Sequence, residues 1–195
     1  MRKILFFDTE TTGLPNNYNA PITAVQNWPR MVQLAFLVYH EDGSLNAKHN
    51  YIIKPEGFVI PADATRIHRI TTQQALAEGQ DLTQVLGLFH QAISESSILI
   101  GHNIEFDKAI VGAEFIRKKM DTKALLSKRT FCTMKDKNVV NFCKIPGKFG
   151  FKWPTLEELH FRLFKEQITD AHDASIDIES TARCFFELLK RRVVR

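Results

Sequence analysis

The sequence predicts a mixed α/β sandwich, and three observations predict it. Apolar runs of strand length open the chain, Glu41-Asp42-Gly43-Ser44 makes a hairpin-like turn between two of them, and strand and helix patterns alternate afterwards. Strands first and alternation later lead to a mixed five-stranded sheet flanked by helices. At 195 residues the chain suits one domain, 1–195, with a full core.

Residues 2–8 read as a central strand, and 15–30, rich in Asn and Pro, as a loop or lid. Strands follow at 31–39 and 45–54. Thr71 or Thr72 can cap a short helix, and Leu82, Val85, Leu86, Phe89 and Ile93 repeat at helical spacing in the next. Residues 97–101 form a short buried strand. Asn103 then caps a helix through Lys119 with Phe106, Ile110, Ala113 and Ile116 as its inner stripe. A fifth strand is expected at 131–134, a short helix at 136–142, and a loop of Gly and Lys after it. Thr155 and Glu158 spell a capping box for the helix holding Leu156, Leu159, Leu163 and Phe164. The last helix spans 174–191 with a stripe of Ile178, Thr181, Phe185 and Leu188 or Leu189.

Composition narrows the function classes. An apolar run of only four residues precedes Asp8, too short for a secretion signal, and no run approaches the ~20 residues of a membrane span. Cys132, Cys143 and Cys184 are odd in number and form no CxxC pair. A reducing, cytoplasmic setting without a zinc or iron–sulfur site is the reading. The net charge is +4, yet residues 117–152 carry eleven Lys or Arg against two acids, a surplus of nine that leaves −5 for the rest. A basic half beside an acidic site suggests a polyanionic partner, although a lysine-rich solvated surface would look the same.

The acids carry the chemistry. Asp8 and Glu10 end an apolar strand two positions apart, so both project from one face of a support with no packing use for either. Asp107 lies in the first turns of a helix following a buried strand, near the sheet edge where open α/β folds place their sites. Asp177 lies in the first turns of the last helix, five residues after His172; with Asp173 capping, His172 can bend back over the site from the approach loop. Taken singly, each acid also fits a helix cap or a solvated charge. Together, four carboxylates at one edge repel unless divalent cations sit between them, and oxygen ligands suit Mg²⁺ or Mn²⁺.

These residues fall into three motifs, FFDTETTGL (6–14), GHNIEFD (101–107) and AHDASIDI (171–178). In them the chain resembles the DEDD superfamily of 3′–5′ exonucleases, histidine branch, typified by the proofreading (epsilon) subunit of bacterial DNA polymerase III. Weaker similarity covers KWPTLEELHFRLF (152–164) and IHRIT (67–71), where the family usually has glycine after the histidine and this chain has Arg69.

The resemblance implies a ribonuclease H-like fold and a two-metal phosphodiester hydrolase. It makes Asp8, Glu10, Asp107 and Asp177 ligands of two divalent ions, Mg²⁺ or Mn²⁺, and His172 the general base. Thr9, Thr11 and Leu14 would line the terminal nucleotide, with Leu14 wedged against its base. Asn103 and Phe106 are further substrate contacts, against rival readings as a cap and as core packing. The implied partners are single-stranded or frayed 3′ ends of DNA, or RNA in an exoribonuclease of the same family. A non-catalytic nucleic-acid-binding or polymerase-accessory protein, and a small-molecule phosphodiesterase, are the other readings. The chain stops at Arg195, just after its last helix, an expectation against docking to a polymerase through a tail.

Overall fold

The computed structural model describes residues 2–169 and 173–195. Strands β1 (Lys3–Thr11), β2 (Met31–His40), β3 (Leu45–Ile52), β4 (Ser96–Gly101) and β5 (Arg129–Cys132) form one sheet in the order β3-β2-β1-β4-β5. β1 is antiparallel to β2 and parallel to β4, so the mixed sheet turns over at its central strand. Helices α1 (Ala62–His68), α2 (Thr72–Glu78), α3 (Leu82–Glu95), α4 (Ile104–Arg117), α5 (Lys123–Ser127), α6 (Lys137–Cys143), α7 (Leu156–Phe164) and α8 (Ala174–Lys190) surround it.

The alternation of β1 divides the core. Leu5 and Phe7 pack with Val85, Leu86 and Phe89 of α3 and Ile110 of α4. Ile4 and Phe6 face the other way, onto Leu159 of α7 and Ile178 and Phe185 of α8. Phe7 meets Phe89 at 5.0 Å between ring centres and Phe6 meets Phe185 edge-on at 5.5 Å, so each layer is anchored to the central strand by an aromatic pair. Asp8 and Glu10 continue the α8 side, and Thr9 continues the α4 side.

β1 also outruns its neighbour. Its pairing with β4 ends at Phe6↔Ile100, while its pairing with β2 continues to Thr11↔Met31 across a bulge at Glu10/Thr11. The acidic residues therefore stand on a strand end that has lost one ladder, leaving a notch at the C-terminal edge of β4.

Several expected elements shift. The fifth strand lies at Arg129–Cys132, two residues before the expected 131–134, because its ladder runs from Ile98↔Arg129 to Gly101↔Cys132. Helices α1 and α5, of seven and five residues, are too short to show an apolar period. The Gly- and Lys-containing segment makes a two-stranded hairpin, β6 (Pro146–Gly147) and β7 (Gly150–Phe151), separate from the main sheet. Thr155 and Glu158 do form the capping box. Arg69 ends α1 with φ +66°, the left-handed conformation that glycine favours, and keeps the turn that glycine usually makes in the similar segment.

Candidate active site

Asp8, Glu10 and Asp177 converge: one carboxylate oxygen from each lies within 4.8 Å of the others. The strand supplies the first two from one face, and α8 brings the third across that face from its first turn. Asp107, 3% exposed, reaches the same notch from the first turn of α4. Its Oδ1 accepts from the Thr9 backbone N–H at 3.0 Å and the Thr9 hydroxyl at 2.7 Å. The unpaired donor at the end of β1 thus fixes the second motif to the first.

The electrostatics follow from the crowding. Burial first, then the charges of Asp107, Glu10, Asp177 and Asp173, push the Asp8 carboxyl well above the usual range. Glu10 is pushed up to about 8 by burial and then by Asp177, Asp107 and Asp173. Asp107 is raised to about 7 by burial, against the two Thr9 hydrogen bonds, which lower it. Among the described residues, every charge acting on Asp8 and Glu10 is another carboxylate. Hard oxygen donors, closely spaced and short of positive charge, fit a divalent cation.

The residues expected on the substrate side are placed as follows. Leu14 is 74% exposed. Thr9 and Thr11 are buried and spend their hydroxyls inside the protein, Thr9 on Asp107 and Thr11 on the Gly13 carbonyl at 2.7 Å. Asn103 sits at the N-cap position of α4 but its side chain makes no capping hydrogen bond, a correction to the cap reading. Its φ of +68° is left-handed, whereas a capping side chain goes with extended backbone. Phe106 is half-buried and faces Tyr18 at 6.4 Å between ring centres, so it forms the margin of the α4 core, open on one side. His172 lies outside the described residues.

Two supporting residues, Gln33 and Glu114, were missed in the sequence. Gln33 of β2, paired opposite Glu10, donates to Asp173 Oδ1 at 3.3 Å and to Asn50 Oδ1 at 2.9 Å, and accepts from the Ala174 N–H at 3.3 Å. It ties the N-terminus of α8, and hence Asp177, to the sheet. Asp173 also caps α8 through the Ser175 N–H at 2.8 Å. Glu114 of α4, fully buried, holds Arg30 at 2.8 Å, Arg117 at 2.9 Å and the Met31 N–H at 3.1 Å. Arg117 in turn donates to the carbonyls of Val25 and Trp28, so the 15–30 loop is strapped onto α4. Glutamine on a strand and acids on a helix carry no signal of such partners; only the register and the docking of α8 disclose them.

The exonuclease family described by the RNase T model matches residues 5–185, nearly the whole length and all three motifs. The chain belongs to the RNase T exonuclease family. Other members and solved structures agree. DNA polymerase III PolC-type of Latilactobacillus sakei subsp. sakei (strain 23K) is 26% identical over 188 residues, covering 95% of this chain and 11% of that protein. PolC-type polymerase of Staphylococcus aureus (strain RF122 / ET3-1) is 24% identical over 193 residues, with the same coverage. Escherichia coli exonuclease I, solved with a dT13 oligonucleotide, superposes with a TM-score of 0.78 at 20% identity over 98% of this chain and 42% of that one. Exonuclease I of Methylocaldum szegediense gives 0.78 at 18% identity, over 98% and 41%. This chain thus spans about a tenth of the polymerases and two-fifths of the exonuclease I chains. No helix among the described residues is long and apolar enough to cross a membrane.

Proposed function

We propose that this chain is a 3′–5′ exonuclease that hydrolyses the terminal phosphodiester of single-stranded or frayed DNA and releases nucleoside 5′-monophosphates. The convergence of Asp8, Glu10 and Asp177 within 4.8 Å, with Asp107 against Asp8, carries the proposal. These four carboxylates would hold two divalent ions, Mg²⁺ or Mn²⁺, which would supply Lewis acidity at the phosphodiester. His172 would take the proton of the attacking water, the general-base role the motif resemblance implies for it. The water oxygen bonds to phosphorus, the bond to the 3′-oxygen breaks, and that oxygen takes a proton to leave a strand one nucleotide shorter.

Leu14 would press on the terminal base, with backbone groups after Glu10 and the Asn103 and Phe106 side chains around the nucleotide. A frayed end needs less unpairing than a paired one, which favours mismatched termini. The PolC-type relatives and the oligonucleotide held by exonuclease I support DNA as substrate and a role in proofreading or repair, and a cytoplasmic location belongs to the same proposal. A polymerase partner belongs to the same reading.

The test is polarity and product. With a 5′-labelled single strand and Mg²⁺, the chain should shorten the strand stepwise from its 3′ end, with mononucleotides as the other product. Internal cuts, or no cleavage of DNA alongside cleavage of matched RNA, would contradict the proposal.

A further inference from the structure

The β6–β7 hairpin is rooted by Ile145 in the α7–α8 side of the core, but its outer part packs on little. Phe149 is 91% exposed, Phe151 49% and Trp153 57%. Phe151 and Trp153 alternate along the chain that leaves the hairpin, where alternate residues of an extended segment share a face with a repeat of about 6.6 Å, while Phe149 stands in the Lys148-Phe149 turn at the hairpin's tip. Three large rings left in water so close together are unusual for a surface that serves only folding.

Their company is basic. Lys148 Nζ lies 5.3 Å from the centre of the Phe149 ring and Lys135 Nζ 5.1 Å from that of Trp153. Lys144, exposed, precedes the hairpin, while Lys152 is taken up by Glu158 at 2.7 Å.

The hairpin is also bound to the site. The Pro154 carbonyl, next to Trp153, accepts from His102 Nε2 at 3.2 Å. His102 Nδ1 must then accept from the Thr133 hydroxyl, 2.9 Å away, while the Thr133 N–H donates to the Gly101 carbonyl at 3.0 Å. His102 belongs to the turn that launches α4 and Asp107. Its burial lowers its pKa to about 4, which keeps the ring neutral in this role.

We propose that Phe149, Phe151 and Trp153 are a stacking platform for bases of the single strand upstream of its terminal nucleotide, with Lys135, Lys144 and Lys148 taking its phosphates. This rests on the strand-degrading function proposed above. Flat apolar bases on a polyanionic chain satisfy rings and lysines together, whereas an apolar protein partner would have to desolvate the lysines.

Trp153 itself reports the test, because Trp28, the other tryptophan, is 5% exposed. With Ca²⁺ in place of Mg²⁺ to slow hydrolysis, dT16 should quench Trp153 emission in the wild-type chain. Phe149→Ala with Phe151→Ala should weaken dT16 binding by at least about fivefold for each stacked base lost. The same variant, shown to melt like wild type, should hydrolyse a dinucleotide in Mg²⁺ within twofold of the wild-type rate. Unchanged dT16 affinity, or Trp153 emission indifferent to saturating dT16, overturns the platform even if hydrolysis proceeds. Quenching without any hydrolysis by the wild-type chain would instead sink the exonuclease reading and leave the platform standing.

Discussion

Thr9 grips Asp107 twice, through its backbone N–H at 3.0 Å and its hydroxyl at 2.7 Å, both onto Oδ1. The pair joins the strand carrying Asp8 and Glu10 to the helix carrying Asp107, and it opposes the burial that raises the Asp107 pKa. Thr9→Val removes the hydroxyl and keeps the shape. It should raise that pKa further, moving the acid limb of the activity profile to higher pH, and Thr9→Ser should restore it. A pH–rate profile unchanged by Thr9→Val would remove the hydroxyl from this role.

Metal binding should release protons. Asp107 and Glu10 rise from ordinary values of 3.8 and 4.5 to about 7 and about 8 in the fold, so at neutral pH the metal-free site retains protons that a cation displaces. The folded state binds more protons than the unfolded chain between those values. The part of the metal-free protein's stability linked to these two groups is therefore fully present below about pH 4 and is lost as pH rises towards 8. Melting curves with chelator should show this decline, and added Mg²⁺ should raise the melting temperature most at the alkaline end. A metal effect that shrinks from pH 5 to pH 8 would contradict the assignment.

The 15–30 loop depends on Glu114. Glu114→Ala leaves Arg30 and Arg117 without their buried partner and should destabilise the fold by about 3 kcal/mol, measured by urea unfolding. Because the loop follows Leu14 rather than the carboxylates, KM for the strand should rise more than Mn²⁺ affinity falls. Equal losses in both would mean that the loop also shapes the cage.

Gln33 should act through Asp177. Gln33→Leu breaks the bonds to Asp173 and Ala174 at the start of α8 and should weaken Mn²⁺ binding by about 10- to 100-fold, as loss of outer partners does at metal sites. Binding within twofold of wild type would show that α8 is positioned by its apolar face alone.

The central strand, the α3 stripe and the α7 capping box were legible because each is a local pattern: an apolar run, a helical period, a Thr and Glu three apart. The convergence of Asp8 and Glu10 was legible for the same reason, since strand geometry alone puts them on one face. Asp107 and Asp177 needed the motif resemblance as well, because their approach depends on how α4 and α8 dock. Gln33 was illegible, since its value arises from lying opposite Glu10 in a ladder bulged at Glu10/Thr11. The hairpin was read as a loop because two-residue strands have no period to detect. Arg69 shows the converse: a substitution at a position usually held by glycine, read as a break in the pattern, leaves the left-handed turn intact at φ +66°.

Manganese binding followed by its electron paramagnetic resonance signal, in the wild-type chain and in Asp8→Asn, bears most directly on the carboxylate cage. The wild-type chain should bind Mn²⁺ and lose free-ion signal on titration, whereas Asp8→Asn, which removes the carboxylate between Glu10, Asp107 and Asp177, should bind at least about 100-fold more weakly. A wild-type chain that leaves the free-ion signal untouched, or a variant that binds as well as wild type, would contradict the cage and the hydrolytic function built on it.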